Sequence, residues 1–349
     1  MTPPDNTQAG KQIWIDVLTV ISCFAVVILH TNKIFWERPQ GRLWVTANII
    51  ETVFYYAVPV FFMISGYTLM DYRQRYNSKT FLQKRFRRTV IPFIAWSLFG
   101  LWLYSYKNAI PLETGWRDIV SSTLTHRYVG IYWFFIPLFA IYLSLPVISL
   151  IPQDKRQKVF AYSIACAFIS YAVLPTAAKL LMLDYDKAIQ APFVGGYLLY
   201  TLLGYYLGHY DISRRIRIAL YLSGVAGLCL HFFGTLYLSP PDGIDHTFKE
   251  YLNFPCVLYS AAIFVYCRYN HYHWLGKNPV AIRLLHLAKT AALGVYLLHI
   301  YFVWYVPQWL GLPEQSIVFR VGGAVGIFLA CVAISHIFRR IPILRALIP

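Results

Sequence analysis

Charged residues are scarce in this chain of 349 residues. They make up 13% of it, and acids are rarest, with 15 Asp and Glu against 31 Lys and Arg. A soluble domain carries about 25% charged residues. So few charges cannot cover the surface of a water-soluble body of this length, which excludes a soluble enzyme, a disordered chain and a fibrous one. Cysteine is sparse as well. Cys23, Cys166, Cys229, Cys256, Cys267 and Cys331 lack metal-ligand spacing and nearly all fall in apolar stretches. They read as small buried hydrophobes rather than disulfides or ligands. His271 and His273 stand two apart with no further ligands clustered beside them, so no metal site is expected. Before the first apolar stretch there is one basic residue, Lys11, and no small-x-small cleavage pattern follows it. That stretch is therefore expected to be retained as a helix.

Hydrophobic residues, by contrast, reach 58%, aromatics reach 18%, and the mean hydropathy is +0.50. This composition fits an all-α bundle of membrane-spanning helices, with aromatics in interfacial belts and in helix packing. A span needs about 20 mostly apolar residues. With that ruler ten candidates emerge, near 13–32, 45–69, 90–106, 129–151, 159–175, 192–208, 218–238, 252–267, 291–310 and 317–338. Several contain Gly or Pro, such as Pro59, Pro137, Pro146, Gly195 and Gly204, which lipid-embedded helices tolerate. No internal repeat stands out, so an inverted-repeat transporter has no support. One integral-membrane domain over 1–349 is expected, with residues 1–12 as a short cytoplasmic tail.

The formal net charge of +16 suggests nucleic acid at first sight. The basic residues, however, sit in short runs between apolar stretches, which is the pattern of positive-inside topology; no nucleic-acid partner is expected. With the N-terminus inside, the runs at Arg73–Arg88, Lys155–Lys158, Arg214–Arg217, Arg268–Lys289 and Arg339–Arg345 all face the cytoplasm. An even span count then places both termini there. No loop is long enough for a separate catalytic domain, so any chemistry lies within the bundle.

An ionisable residue inside a span is costly and is a functional candidate by default. The first span carries Asp16 near its inner end and His30 near its outer end. Their fourteen-residue separation corresponds to about 21 Å along a helix, so they are not a catalytic pair. His30 is either an interfacial histidine bonded to a neighbouring helix or a general base, for which its ordinary pKa suits it. Ser65 and Gly66, in the stretch Pro59–Tyr67, allow close helix approach. The five-residue serine elbow does not match there, because Met63 stands at its first glycine position. Arg85 and Arg88, three apart in the loop Phe81–Pro92, share one face if helical. They could grip phosphates as bidentate forks or anchor the chain on anionic membrane lipids. Trp133 is a belt residue or a site residue. Tyr296 and His299 share a face mid-span, where a histidine needs a polar partner.

In combination these segments resemble the acyltransferase-3 family of bacterial membrane O-acyltransferases. The features that carry the resemblance are Ile15-Asp16 with His30, the Pro59–Tyr67 stretch, the R-x-x-R pair Arg85 and Arg88 followed by Pro92, Trp133-Phe134-Phe135, and Gly294–His299. They run through nearly the whole chain. The resemblance implies a multi-pass protein of the bacterial cytoplasmic (inner) membrane. It would move an acetyl or succinyl group from cytoplasmic acyl-CoA to a hydroxyl of a surface polysaccharide or lipid-linked glycan. Acetyl-CoA or another acyl-CoA would be a donor substrate, with no bound cofactor and no metal. It implies His30 as the catalytic base and Arg85 and Arg88 as holders of the CoA phosphates. Asp16, Ser65, Tyr67, Trp133, Tyr296 and His299 are then candidates for oxyanion, substrate or supporting roles. A sugar exporter or a ligand-sensing membrane module are the alternatives. The family places Arg or Lys eleven residues before its histidine, where this chain has Thr19. Either a basic group from another helix replaces it or the chain has drifted from catalysis. Asp16 must in any case find its cation elsewhere, with Arg85 and Arg88 nearest in topology.

Overall fold

Lipid offers no partner for a free backbone N–H or C=O, so a spanning segment satisfies itself as a helix or in a closed barrel. The computed structural model describes residues 6–112 and 115–349, and among these there are helices and no strands. In chain order the helices are α1 (Asn6–Thr31), α2 (Gly41–Phe54), α3 (Ala57–Leu69), α4 (Ser78–Arg85), α5 (Ile91–Asn108), α6 (Trp116–Leu124), α7 (Phe135–Ile148) and α8 (Gln153–Ala167). There follow α9 (Leu174–Leu180), α10 (Leu198–His209), α11 (Arg214–Leu238), α12 (Phe254–Tyr269), α13 (His273–Gly276), α14 (Pro279–Leu310), α15 (Ala324–Arg340) and α16 (Pro342–Arg345).

Eight helical stretches among the described residues are long and apolar enough to cross a membrane: Ile13–Thr31, Gly41–Gln74, Ser78–Asn108, Gly130–Ile148, Gln153–Leu180, Arg214–Leu238, Pro279–Leu310 and Val318–Arg340. Each overlaps one of the ten expected spans. The two remaining expectations, near 192–208 and 252–267, fall on α10 with 12 residues and α12 with 16. Helices that short reach about 18 and 24 Å, less than a hydrocarbon core of about 30 Å. The expected tail over 1–12 is already helical from Asn6, while residues 1–5 lie outside the described residues.

The basic segment at 81–92, expected as a loop, is helical throughout. Asn77 caps α4 by accepting from Thr80 N at 2.9 Å. Lys and Arg are good helix formers, and the chain continues through a π-helical turn, Phe86–Val90, into α5. Such wide turns within α-helices are frequent at functional sites. At the start of α14, Asn278 accepts from Val280 N and Ala281 N, both at 3.1 Å, so that helix begins well before the expected 291.

Helix α1 lies at the centre, against α2, α3, α12, α14 and α15. It runs in the same sense as α14: Asp16 meets Lys289, Cys23 Sγ meets the Ala292 carbonyl, and His30 meets His299. Where α3 crosses α10, a side chain on Gly66 or Gly204 would drive into the backbone of Thr201 or Met63, so only glycine permits that approach. The neighbouring Ser65 turns its hydroxyl back to the Phe61 carbonyl at 2.9 Å. Cys23, Cys256, Cys267 and Cys331 are buried, as read from the sequence, but Cys166 is only partly buried and Cys229 is exposed on α11.

Candidate active site: a histidine pair between two parallel helices

His299 is fully buried, whereas His30 keeps part of its surface open. Their rings lie 4.9 Å apart, with His30 Nδ1 2.8 Å from His299 Nε2. The second nitrogen decides the direction of that bond. His299 Nδ1 is 2.9 Å from the Val295 carbonyl, which can only accept. Nδ1 of neutral His299 therefore carries its proton, and Nε2 is left with a lone pair. His30 Nδ1–H donates to it, and Nε2 of His30 keeps its own lone pair. The assignment comes from this network. His30 thus has the tautomer a general base requires, held by a partner from another helix.

The surroundings are aromatic. Tyr296 stands 5.9 Å from His299, ring to ring, and its hydroxyl donates to the Ile131 carbonyl. That proton is occupied, which counts against Tyr296 as an oxyanion donor. Trp133 stacks on Tyr251 at 5.5 Å and packs on Tyr197 at 5.8 Å. Tyr251 in turn stacks on Tyr55 at 4.4 Å. Tyr67 lies elsewhere: its ring contacts Trp14 and His209, each at 4.9 Å, at the Asp16 end of the bundle. Ser65, bonded to its own helix, presents no free hydroxyl proton.

Asp16 does not pair with Arg85 or Arg88. Its Oδ1 lies 2.8 Å from Lys289 Nζ, on α14. The cation that faces Asp16 is therefore Lys289, from another helix. The Thr19 hydroxyl donates to the Ile15 carbonyl at 2.7 Å. Arg85 lies 5.9 Å over the Tyr142 ring, with its Nε buried and unpartnered. Arg88 is exposed on the π-helical turn and sits within electrostatic range of Arg85 and Arg339. Arg339, in turn within range of Arg345, bonds the Thr290 and Pro349 carbonyls at 2.5 and 2.6 Å, and its Nε is also unpartnered. Guanidinium groups from α4, the π-helical turn, α15 and α16 thus follow one another in pairwise electrostatic range, and Arg85 and Arg339 each keep a buried Nε–H without a partner. Sequence reasoning placed Arg339 and Arg345 only among topology-setting charges.

A second polar cluster lies beyond His30, and sequence reasoning missed it. Asn32 donates to the Ala47 carbonyl at 2.9 Å and to Glu51 Oε2 at 3.4 Å, and accepts from Arg320 Nη1 at 3.2 Å. Lys249 is 1% exposed; its ammonium donates to Asn48 Oδ1 at 3.3 Å and Thr52 Oγ1 at 3.2 Å. It also faces the rings of Phe35 and Tyr55 at 4.6 and 5.3 Å. Burial pulls its pKa down to about 7, against the opposing pull of Glu51. The available signal was Glu51 itself, an acid within an apolar stretch.

A family model described as an acyltransferase domain, of the acyltransferase-3 type, matches residues 12–336. The chain belongs to the acyltransferase-3 family. With eight apolar helices, this acyltransferase-3 protein is a multi-pass membrane protein. It is 29% identical over 157 residues to a serine/alanine racemase of Enterococcus gallinarum, covering 43% of this chain and 21% of the racemase. It is 22% identical over 207 residues to a probable poly-β-1,6-N-acetyl-D-glucosamine export protein of Staphylococcus aureus (strain MRSA252), covering 57% of each. The chain thus spans about a fifth and rather more than half of those two relatives. No solved structure matches it.

Proposed function

We propose that this acyltransferase-3 protein is an O-acyltransferase that carries an acetyl or succinyl group from cytoplasmic acyl-CoA to a hydroxyl of a surface polysaccharide or lipid-linked glycan. The observation that carries this reading is the His30–His299 pair, which leaves Nε2 of His30 as a free base. His30 takes the acceptor's hydroxyl proton, and the oxygen attacks the thioester carbonyl carbon. The carbon–sulfur bond breaks, and the proton ends on the departing CoA sulfur. His299 positions the base, since its lone pair receives the Nδ1–H of His30 and steadies the imidazolium that forms. Arg85 and Arg88, joined by Arg339 and Arg345, hold the CoA phosphates; unpartnered guanidinium N–H groups support that role. Asp16 with Lys289 braces the same end of α1.

The reading places the single domain in the bacterial inner membrane, with ten segments and both termini cytoplasmic. The contacts support two chemically different ends. Arg156, Asp71, His209 and Arg268 gather near Asp16, while Lys33–Glu314 and Arg320–Asn32 gather near His30. The positive-inside rule assigns the first group to the cytoplasm.

The likeness to the export protein favours one second reading, a sugar exporter in which the polar groups of α1 and α14 line a path. Transfer of label from acetyl-CoA to glycan by the purified protein distinguishes the two. An exporter would release unmodified glycan and bind no CoA.

A further inference from the structure

A cavity of about 460 Å³ lies between the start of α11 and the end of α12, lined by Arg214, Arg217, Arg268, Tyr221, Tyr269 and His271 among others. No acid lines it. The carboxylate of Asp211 stands outside with its side chain fully exposed, 3.5 Å from Arg268 Nη2. Two of the three cations are held in place. Arg268 Nη1 donates to the Leu207 and Tyr210 carbonyls at 2.5 and 2.7 Å, and Arg217 lies 4.1 Å over the Tyr269 ring. Ser213 caps α11 by accepting from Ile216 N at 3.4 Å, so the positive end of a 25-residue helix dipole adds to the same field.

Below the cavity the surface changes character. Ile218, Leu222 and Val225, spaced i, i+4 and i+7 on α11, are all exposed. Because α11 is itself a candidate span, with the cavity at its first turn, this uncovered stripe suits contact with lipid and the cavity suits the bilayer–water boundary. A soluble anion would satisfy the arginines but would leave the stripe unused. A molecule with a phosphate head and an apolar tail satisfies both.

We propose that this cavity binds the phosphate headgroup of an anionic phospholipid, with an acyl chain along Ile218, Leu222 and Val225. The site is carried by different helices from Arg85 and Arg88. It does not depend on the acyl-transfer reading.

Native mass spectrometry of the whole protein with dioleoylphosphatidylglycerol, dioleoylphosphatidylcholine, CoA or inorganic phosphate tests the proposal. The glycerol lipid is expected to be retained over the choline lipid. The double variant Arg214→Gln, Arg217→Gln should retain it roughly thirtyfold less, a factor of about five for each lost cation at the membrane surface. Arg268 is left intact because two backbone carbonyls depend on it. Equal retention by wild type and double variant would overturn the proposal. A parallel loss of CoA binding in that variant would also overturn it, assigning the cavity to the donor instead. Hydrogen exchange on the unmodified protein gives an answer if the variant does not fold: anionic nanodiscs should slow exchange at residues 268–271 relative to choline nanodiscs, and equal rates would contradict the site.

Discussion

A neutral histidine that donates through Nδ1 keeps its basicity at Nε2, and the state of His30 is set by where His299 puts its own proton. Removing His299 frees the His30 ring to rotate and to change tautomer. His299→Ala is expected to lower turnover about tenfold to a hundredfold with KM for acyl-CoA unchanged, the usual scale for a misplaced reacting group. His299→Gln, which keeps an acceptor, should recover part of the loss; equal losses in the two variants would reduce His299 to packing. Lys249 makes a second prediction at this scale. Its folded pKa of about 7 lies below the ordinary lysine value, so the unfolded chain binds the extra proton between about pH 7 and pH 10.5. Its contribution to stability therefore rises with pH across that window, and the cost of burying the ammonium is fully present below it. Lys249→Met should flatten the dependence of Tm on pH between 7 and 9.5. An unchanged slope would mean that Lys249 stays charged in the fold.

At the scale of helices, single-residue spacing decides how close two axes come. The α3–α10 crossing depends on Gly66 and Gly204, so Gly66→Ala is expected to cost roughly 1–3 kcal/mol and to lower Tm in detergent, as overpacking does. An unchanged Tm would show that the two helices can part without cost. This scale also explains what the sequence made legible. His30, Arg85 and Arg88 were visible as charges against apolar or short-loop backgrounds, and the apolar runs marked every long helix. The His30–His299 bond was not visible, because 269 residues separate its partners and nothing local specifies that α1 and α14 lie side by side. Lys289 was hidden for the same reason, as one basic residue among several in a run. Lys249 lies in a polar stretch between helices that reads as solvated, and only tertiary packing buries it. The π-helical turn at Phe86–Val90 left no pattern at all, since its residues suit an ordinary helix equally well.

For the whole molecule, the proposed function divides two jobs along one bundle axis. In the proposed function, Arg85, Arg88, Arg339 and Arg345 would hold the donor phosphates, and His30 would take the proton near the opposite end of α1. Variants at the two ends should then fail differently. Arg88→Glu is expected to abolish CoA binding in a protein that still folds into the membrane, and unchanged CoA affinity would remove the donor assignment. The most direct test of the central claim uses His30→Ala in purified, reconstituted protein, with labelled acetyl-CoA transfer to glycan and CoA affinity measured on the same preparation. A general base predicts turnover lower by about 10²–10⁴-fold with CoA affinity intact; a variant that transfers acetyl at nearly the wild-type rate would contradict the account.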